Sequence, residues 1–167
     1  NLSDLSTLSL PDYDHRYFVD VSIVLSDRSQ TPSQTLLVGA LGRGGKGIYS
    51  LDVTTPSSFA AADVKWERYE TPGGNMGLVL GQPIIAKLNN GVTGVIVPNG
   101  VNSAGDRAAL LVYRLSDGQL LAEIDTGVGN GTTPNGMYAA TIRDLDGNGT
   151  ADYVYAGDLL GNLWKFD

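Results

Sequence analysis

The amino-acid sequence predicts an all-β fold in which many short strands are joined by tight turns. Its 167 residues include 22 glycines and 7 prolines, which favour turns and leave little room for long helices. Short apolar or alternating segments recur between these residues, for example at 35–40, 64–69 and 92–97. Their lengths and periods are typical of strands. Hydrophobic residues make up 42% and charged residues 17%, as in a folded domain with a core.

Strands can be assigned along most of the chain. Residues 1–14 have no clear period and are interpreted as a lead-in segment. Strands are predicted at residues 15–25, 35–40, 48–53, 64–69, 82–88, 92–97, 108–115, 120–124, on both sides of residues 144–152, and at 163–167. One helical turn is predicted at 55–62, with Thr55 as its cap and Pro56 at its first position.

A glycine-rich segment and a longer glycine-rich loop separate some of these strands. Residues 42–47 match the pattern G-x-G-x-x-G, but a strand rather than a helix follows them. The dinucleotide-binding fingerprint requires a helix at that point, so a hairpin turn is predicted instead. Residues 126–136 are interpreted as a linker between sheets, with a mobile functional loop as the alternative.

A short repeat predicts how the strands are grouped. Residues 48–52, 112–116 and 163–167 share one order: apolar, aromatic, variable, apolar, then a side chain with oxygen. The repeats recur at intervals of roughly 50 to 65 residues, the size of a four-stranded propeller blade with insertions. Residues 15–167 are therefore predicted to form several blades of a modified β-propeller, a fragment of a full one, with each repeated aromatic packed between adjacent blades.

The loop at residues 144–152 carries the strongest chemical signal. Oxygen-bearing side chains stand at its positions 1, 3, 5, 7 and 9, which is the ligand spacing of a calcium loop of EF-hand type. Gly149 falls at position 6, where such a loop turns sharply, and Gly147 provides a second hinge. The predicted Ca²⁺ ligands are Asp144, Asp146, Asn148, Thr150 and Asp152.

One part of the EF-hand pattern is absent. Position 12 is Tyr155 rather than the glutamate that closes such a loop with two oxygens. Asp152 is therefore expected to be the last side-chain ligand, directly or through water. The alternative is a turn rich in Asp, Asn and Gly that its own side chains hold together without a metal.

Composition excludes several classes of function. The net charge of −7 argues against a nucleic-acid partner, because phosphate binding requires a basic surface. The absence of cysteine excludes thiolate zinc sites and cysteine nucleophiles. No apolar run reaches about 18 residues, so no membrane span is predicted. His15 is the only histidine, and nothing near it in sequence indicates a catalytic triad.

Several of these segments resemble one known family. Residues 15–20, residues 37–54 and the segments Gly81-Gln82-Pro83 and Leu88-Asn89-Asn90-Gly91 are similar to the C-terminal propeller of the PilY/PilC family of type IV pilus biogenesis and tip adhesin proteins. So is the closing stretch 144–167, where the acidic loop is followed by Ala156-Gly157-Asp158 and Gly161-Asn162-Leu163-Trp164.

The resemblance implies a function as well as a fold. It implies a protein of the bacterial cell surface or pilus tip, exported through the periplasm and without enzymatic activity. Calcium in loop 144–152, with the main-chain carbonyl of Thr150 as one ligand, would control pilus extension and retraction, and hence twitching motility and surface attachment. The implied partners are minor pilins, the N-terminal adhesive part of the same protein, and a host or abiotic surface.

Two alternatives remain open at this stage. Residues 156–167 are also similar to the tryptophan-docking repeat of quinoprotein dehydrogenases, calcium-dependent propellers that carry pyrroloquinoline quinone. That enzyme class gathers its calcium ligands from separate blades, whereas here they lie in one loop, and a shared fold does not carry shared chemistry. The other alternative is a structural propeller in which calcium only stiffens a turn.

Overall fold

Eleven strands form three antiparallel sheets, which we call blades 1 to 3 in chain order. The structure, a computed structural model, describes the backbone of residues 2–167 and the side chains of residues 4–167. Blade 1 contains β1 (Val24–Leu25), β2 (Leu36–Ala40), β3 (Gly47–Asp52) and β4 (Val64–Tyr69). Blade 2 contains β5 (Ile84–Lys87), β6 (Thr93–Pro98), β7 (Ala109–Arg114) and β8 (Leu120–Asp125). Blade 3 contains β9 (Met137–Arg143), β10 (Tyr153–Asp158) and β11 (Leu163–Phe166).

The all-β prediction is confirmed. Two sheets have the four strands expected of a propeller blade, and blade 3 has three strands among the described residues. The helical segments of residues 2–167 are all short 3₁₀ helices, at Leu2–Ser9, Gly42–Gly44, Pro56–Ser58 and Ala61–Asp63. None of these helices has the length and apolarity needed to cross a membrane.

Each blade is a meander, because every strand pairs with its neighbour in sequence. Blade 2 lies between the other two blades, and its strands β5 to β7 are apolar on both faces, whereas β8 is largely exposed. In β6, Val95 and Val97 pack toward blade 1, while Ile96 between them packs toward blade 3. Successive side chains of a strand point to opposite faces, so a strand between two blades needs a continuous apolar run.

Two hydrophobic clusters hold the blades together. The cluster between blades 1 and 2 contains the buried side chains Leu36, Val38, Ile48, Trp66, Val95, Val97, Leu111 and Tyr113, among others. The cluster between blades 2 and 3 contains Ala86, Ile96, Leu110, Met137, Val154 and Ala156, with Trp164 packed against it. The core therefore lies between blades rather than within one.

The sequence repeat marks the third strand of every blade. Tyr49 lies in β3, Tyr113 in β7 and Trp164 in β11. Tyr113 and Trp164 each pack into the cluster shared with the preceding blade, which confirms the predicted packing between blades for these two. Tyr49 is half-buried on the face of blade 1 opposite Ile48, with its ring over Gly39.

The strand predicted at residues 15–25 is wrong over most of its length, because only Val24–Leu25 pairs as a strand. The segment before it packs against the turn between β2 and β3 instead. The side chain of Asp20 accepts a hydrogen bond from the Arg43 amide at 2.7 Å, and the Phe18 carbonyl lies directly over Gly44. This close contact leaves no space for a side chain at Gly44. The backbone around Phe18 therefore packs on the turn instead of pairing with a strand.

Two smaller predictions have mixed outcomes. Residues 42–47 form a turn between two strands, as expected. The predicted helical turn at 55–62 is two 3₁₀ turns, and Pro56 begins the first of them. The prediction of Thr55 as a cap is wrong, since its side chain makes no capping hydrogen bond. Its backbone conformation, φ −130° and ψ 76°, differs from the extended form usual at a cap.

Candidate metal centre

The loop at residues 144–152 joins β9 to β10 in blade 3, so it lies between two strands as the sequence predicts. The two strands pair up to Arg143 and Tyr153, and the Asp152 amide donates to the Arg143 carbonyl at 3.0 Å. The ends of the loop are therefore held together by the sheet. Gly147 and Gly149 have φ of 75° and 85°, which glycine adopts readily and other residues do not.

The first and last acidic residues of the loop are fixed by backbone amides. Asp144 accepts hydrogen bonds from the amides of Gly147 at 2.7 Å and Gly149 at 2.8 Å, one on each carboxylate oxygen. Asp152 accepts one from the Leu145 amide at 2.7 Å. The hydrogen bond from the Gly149 amide is the main reason that the pKa of Asp144 is lowered, and such bonds favour the charged form of the carboxyl group.

The middle residues of the loop bind to one another. Asp146 accepts hydrogen bonds from the backbone amide and the side-chain amide of Asn148, at 3.1 and 3.0 Å. The Asn148 side-chain oxygen accepts from the Thr150 amide at 2.8 Å and is also contacted by the Thr150 hydroxyl. These bonds link the middle residues of the loop to one another.

Three carboxylates converge in this loop. Asp144, Asp146 and Asp152 each offer an oxygen, and these atoms lie within 4.8 Å of one another. Across residues 4–167, none of the three forms an ion pair with a basic side chain. Negative charges this close repel one another, and a hard divalent cation would relieve that repulsion. The donor set thus fits Ca²⁺, whose preferred ligands are carboxylate and carbonyl oxygens.

The remaining positions of the predicted calcium loop are less clearly arranged for binding an ion than the three carboxylates. Asn148 lies in the same loop, where its side-chain nitrogen donates to Asp146 and its side-chain oxygen accepts from the Thr150 amide. The Thr150 hydroxyl lies between the side-chain oxygens of Asn148 and Asn89. Tyr155 at position 12 is a half-buried residue of β10, so no side chain closes the loop from there. Ligation by the Thr150 carbonyl stays a prediction.

Sequence reasoning missed Asn89, which reaches the loop from blade 2. The Asn89 side-chain oxygen accepts a hydrogen bond from the Thr150 hydroxyl, and its amide nitrogen donates to Asp152 at 3.3 Å. Asn89 stands about 60 residues before these partners in sequence. Nothing local marks it, because an Asn-Asn-Gly turn is ordinary hairpin chemistry. Only the three-dimensional packing of two blades reveals the contact.

A second group of polar side chains surrounds Asp158 at the end of β10. Its Oδ2 accepts hydrogen bonds from the side chains of Asn135 at 3.0 Å, Asn162 at 2.8 Å and Trp164 at 2.9 Å. Partial burial opposes ionisation, but these bonds outweigh it and lower the pKa of Asp158 to about 2. Through these three hydrogen bonds, Asp158 ties the turn between β10 and β11 to the rest of the blade. The segment that is similar to a tryptophan-docking repeat therefore makes a structural contact in this protein.

Comparison with known proteins gives one consistent family. A family model described as the PilY1 beta-propeller domain matches residues 2–167. The chain is similar to a type IV pilus biogenesis factor PilY1 homolog of Xylella fastidiosa, with 40% identity over 99% of this chain and 12% of that protein. It is also similar to the type IV pilus biogenesis factor PilY1 of Pseudomonas aeruginosa strain UCBPP-PA14, with 38% identity over 99% of this chain and 14% of that protein.

A solved structure agrees with these sequence relatives. The crystal structure of the Pseudomonas aeruginosa PilY1 C-terminal domain superimposes with a TM-score of 0.78 at 36% identity. The match covers 89% of this chain and 30% of that chain. The chain thus spans about an eighth of the length of the curated relatives and under a third of the solved domain.

Proposed function

This chain belongs to the family of PilY1 beta-propeller domains, and from that membership we propose that it acts in type IV pilus biogenesis as a calcium-binding propeller module. The observation that carries the calcium part is the convergence of three carboxylates in loop 144–152. The pilus part rests on the relatives, which are named as type IV pilus biogenesis factors. Neither the relatives' names nor the site geometry favours an enzyme.

The proposed ligands of the calcium ion are the side chains of Asp144, Asp146, Asn148 and Asp152 and the main-chain carbonyl of Thr150. The ion removes the repulsion among the carboxylates and ties the end of β9 to the start of β10. Because the ion binds the folded loop and not the unfolded chain, it stabilises the fold by RT ln(1 + [Ca²⁺]/Kd). This is about 2.7 kcal/mol when the calcium concentration is a hundredfold above Kd. Magnesium binds weakly because it requires near-ideal octahedral geometry and retains its waters.

In the cell, the proposed role of calcium is to control pilus extension and retraction, and through them twitching motility and surface attachment. The module would be exported through the periplasm and act at the cell surface or pilus tip. Its partners would be minor pilins and the remaining parts of the longer PilY1 protein. A host or abiotic surface is the proposed target of attachment.

Calorimetric titration with calcium tests the ligand assignment. The wild-type protein is expected to bind one calcium ion, and Asp144→Ala and Asp152→Ala are expected to abolish the binding heat while the sheets remain folded by circular dichroism. Asp12→Ala is the matched control, since it removes the same charge from an exposed position outside the loop. Unchanged titration heats in the loop variants would contradict the assignment.

A genetic experiment tests the pilus role separately. A PilY1 protein carrying Asp152→Ala in this propeller is expected to reach the surface but to lose calcium-dependent control of twitching, measured as colony spreading with and without a chelator. Wild-type spreading by a variant that no longer binds calcium would show that the ion only stiffens the turn.

A further inference from the structure

The metal loop of blade 3 is packed against the matching turn of blade 2. Residues 88–92 join the first two strands of blade 2, and residues 144–152 join the first two strands of blade 3. The Ala151 amide donates to the Lys87 carbonyl at 2.8 Å, and Ala151 forms a parallel bridge with Leu88. The loop therefore has a backbone connection to the neighbouring blade in addition to the connection within its own sheet.

The side chain of Asn89 adds a second connection at the acidic end of the loop. It accepts from the Thr150 hydroxyl and donates to one oxygen of Asp152 at 3.3 Å. The other oxygen of Asp152 is already occupied by the Leu145 amide at 2.7 Å. One Asp152 oxygen is thus oriented from within the loop and the other from blade 2.

From this geometry we propose that Asn89 is a positioning residue for the metal loop, and that through Asn89 the binding of calcium is coupled to the docking of blade 3 on blade 2. The proposal rests on the proposed calcium site. Its new content is that the site includes a contact from a different blade, so the ion affects a contact between blades as well as a turn.

The physical reason concerns the order of the ligands. Asp152 and Thr150 must be held in place before they can bind the ion together with the other proposed ligands, Asp144, Asp146 and Asn148. Groups that hold metal ligands in place through hydrogen bonds are commonly worth 10-fold to 100-fold in metal affinity. Asn89 is exposed to solvent, so an effect near the lower end, about 10-fold, is expected. Linkage is reciprocal, so calcium must strengthen the Asn89 contact by the same factor that Asn89 strengthens calcium binding.

The chain provides a closely matched control in Asn90. It is the next residue of the same exposed turn, and its side chain accepts a hydrogen bond from the Val92 amide at 3.0 Å without contacting the metal loop. Asn89→Ala and Asn90→Ala therefore remove the same amide group from the same hairpin. Neither residue has a positive φ, so alanine fits the backbone at both positions.

Two measurements on the purified protein test the proposal. In calorimetry, Asn89→Ala is expected to keep one site but to bind calcium about 10-fold more weakly, whereas Asn90→Ala stays within twofold of wild type. In amide hydrogen exchange, calcium is expected to slow exchange in residues 144–152 and also in residues 87–91 of the wild type. In Asn89→Ala, the calcium-dependent protection of 87–91 is expected to be clearly reduced while that of the loop remains, because only the backbone link between Ala151 and Lys87 is left.

The outcomes separate this proposal from the one on which it rests. If calcium binds and protects the loop but leaves residues 87–91 unchanged, or if the affinity of Asn89→Ala stays within twofold of wild type, the coupling is refuted and the calcium site stands. If the wild-type protein binds no calcium, the calcium site itself is refuted and the coupling with it.

Discussion

Replacing Asn99 by alanine should destabilise the whole three-blade assembly. Asn99 is fully buried and its amide group makes four hydrogen bonds to backbone groups. Its nitrogen donates to the carbonyls of Asn75 and Arg107, both at 2.8 Å, and its oxygen accepts from the amides of Ala109 at 3.0 Å and Met137 at 3.1 Å. Asn99 thereby links the segment before blade 2, strand β7 and the first residue of blade 3.

The expected cost follows from the number of groups left unpaired. Asn99→Ala removes the partner of three buried backbone groups and of the part-buried Arg107 carbonyl. A buried polar group without a partner costs about 1–3 kcal/mol. A water molecule entering the space would restore some of these bonds. We therefore expect a loss of about 3–5 kcal/mol, a large fraction of the 5–15 kcal/mol typical of a folded domain.

Urea unfolding followed by tryptophan fluorescence measures this effect, because Trp66 packs in the cluster between blades 1 and 2 and Trp164 against the cluster between blades 2 and 3. The urea concentration at the unfolding midpoint should be much lower for Asn99→Ala, while the dependence of the unfolding free energy on urea concentration stays unchanged. Asn90→Ala, an exposed asparagine, is the control and should change stability by about 0.5 kcal/mol or less. A loss below about 1 kcal/mol for Asn99→Ala would refute the reasoning.

Two further predictions concern other buried contacts. The pKa of Asp158 is about 2 when folded, below the ordinary 3.8, so its charge stabilises the fold above about pH 4 and this stabilisation is lost as the pH falls toward 2. The stability difference between wild type and Asp158→Asn should therefore shrink by about 1 kcal/mol from pH 5 to pH 3 in urea unfolding. A difference that does not depend on pH would contradict this. Trp66→Phe removes the 2.7 Å hydrogen bond from the indole Nε1 to the Leu115 carbonyl. The free energy of unfolding should fall by about 2–4 kcal/mol, measured by calorimetric melting. An unchanged melting temperature would count against this prediction.

Local sequence patterns predicted those elements whose structure is decided by their own residues. The alternation in residues 64–69 gave the correct bounds of β4, and the repeated aromatic positions identified the third strand of each blade. The strand–loop–strand arrangement around residues 144–152 was predicted equally well, because glycine positions and flanking apolar residues are properties of one short segment, whereas the calcium ligands stay a prediction. Its flanking strands and the positive φ of both glycines agree with that prediction.

The predictions that failed depend on contacts between distant segments. Residues 15–23 have strand-like composition, but a strand also needs a free neighbouring edge, and here the segment packs on the turn before β3. The contact of Asn89 with the metal loop is of the same kind. It depends on how blades 2 and 3 are placed side by side, which no local period encodes.

The meander order of the strands has a consequence for how the chain folds. Each hairpin closes between segments adjacent in sequence, so the entropy lost in bringing its strands together is small. A blade can therefore form from its own strands before the next blade has formed. The inner strands of blade 2 become shielded from water on both faces only after blade 3 has docked, so until then the folding chain exposes an apolar surface that favours aggregation.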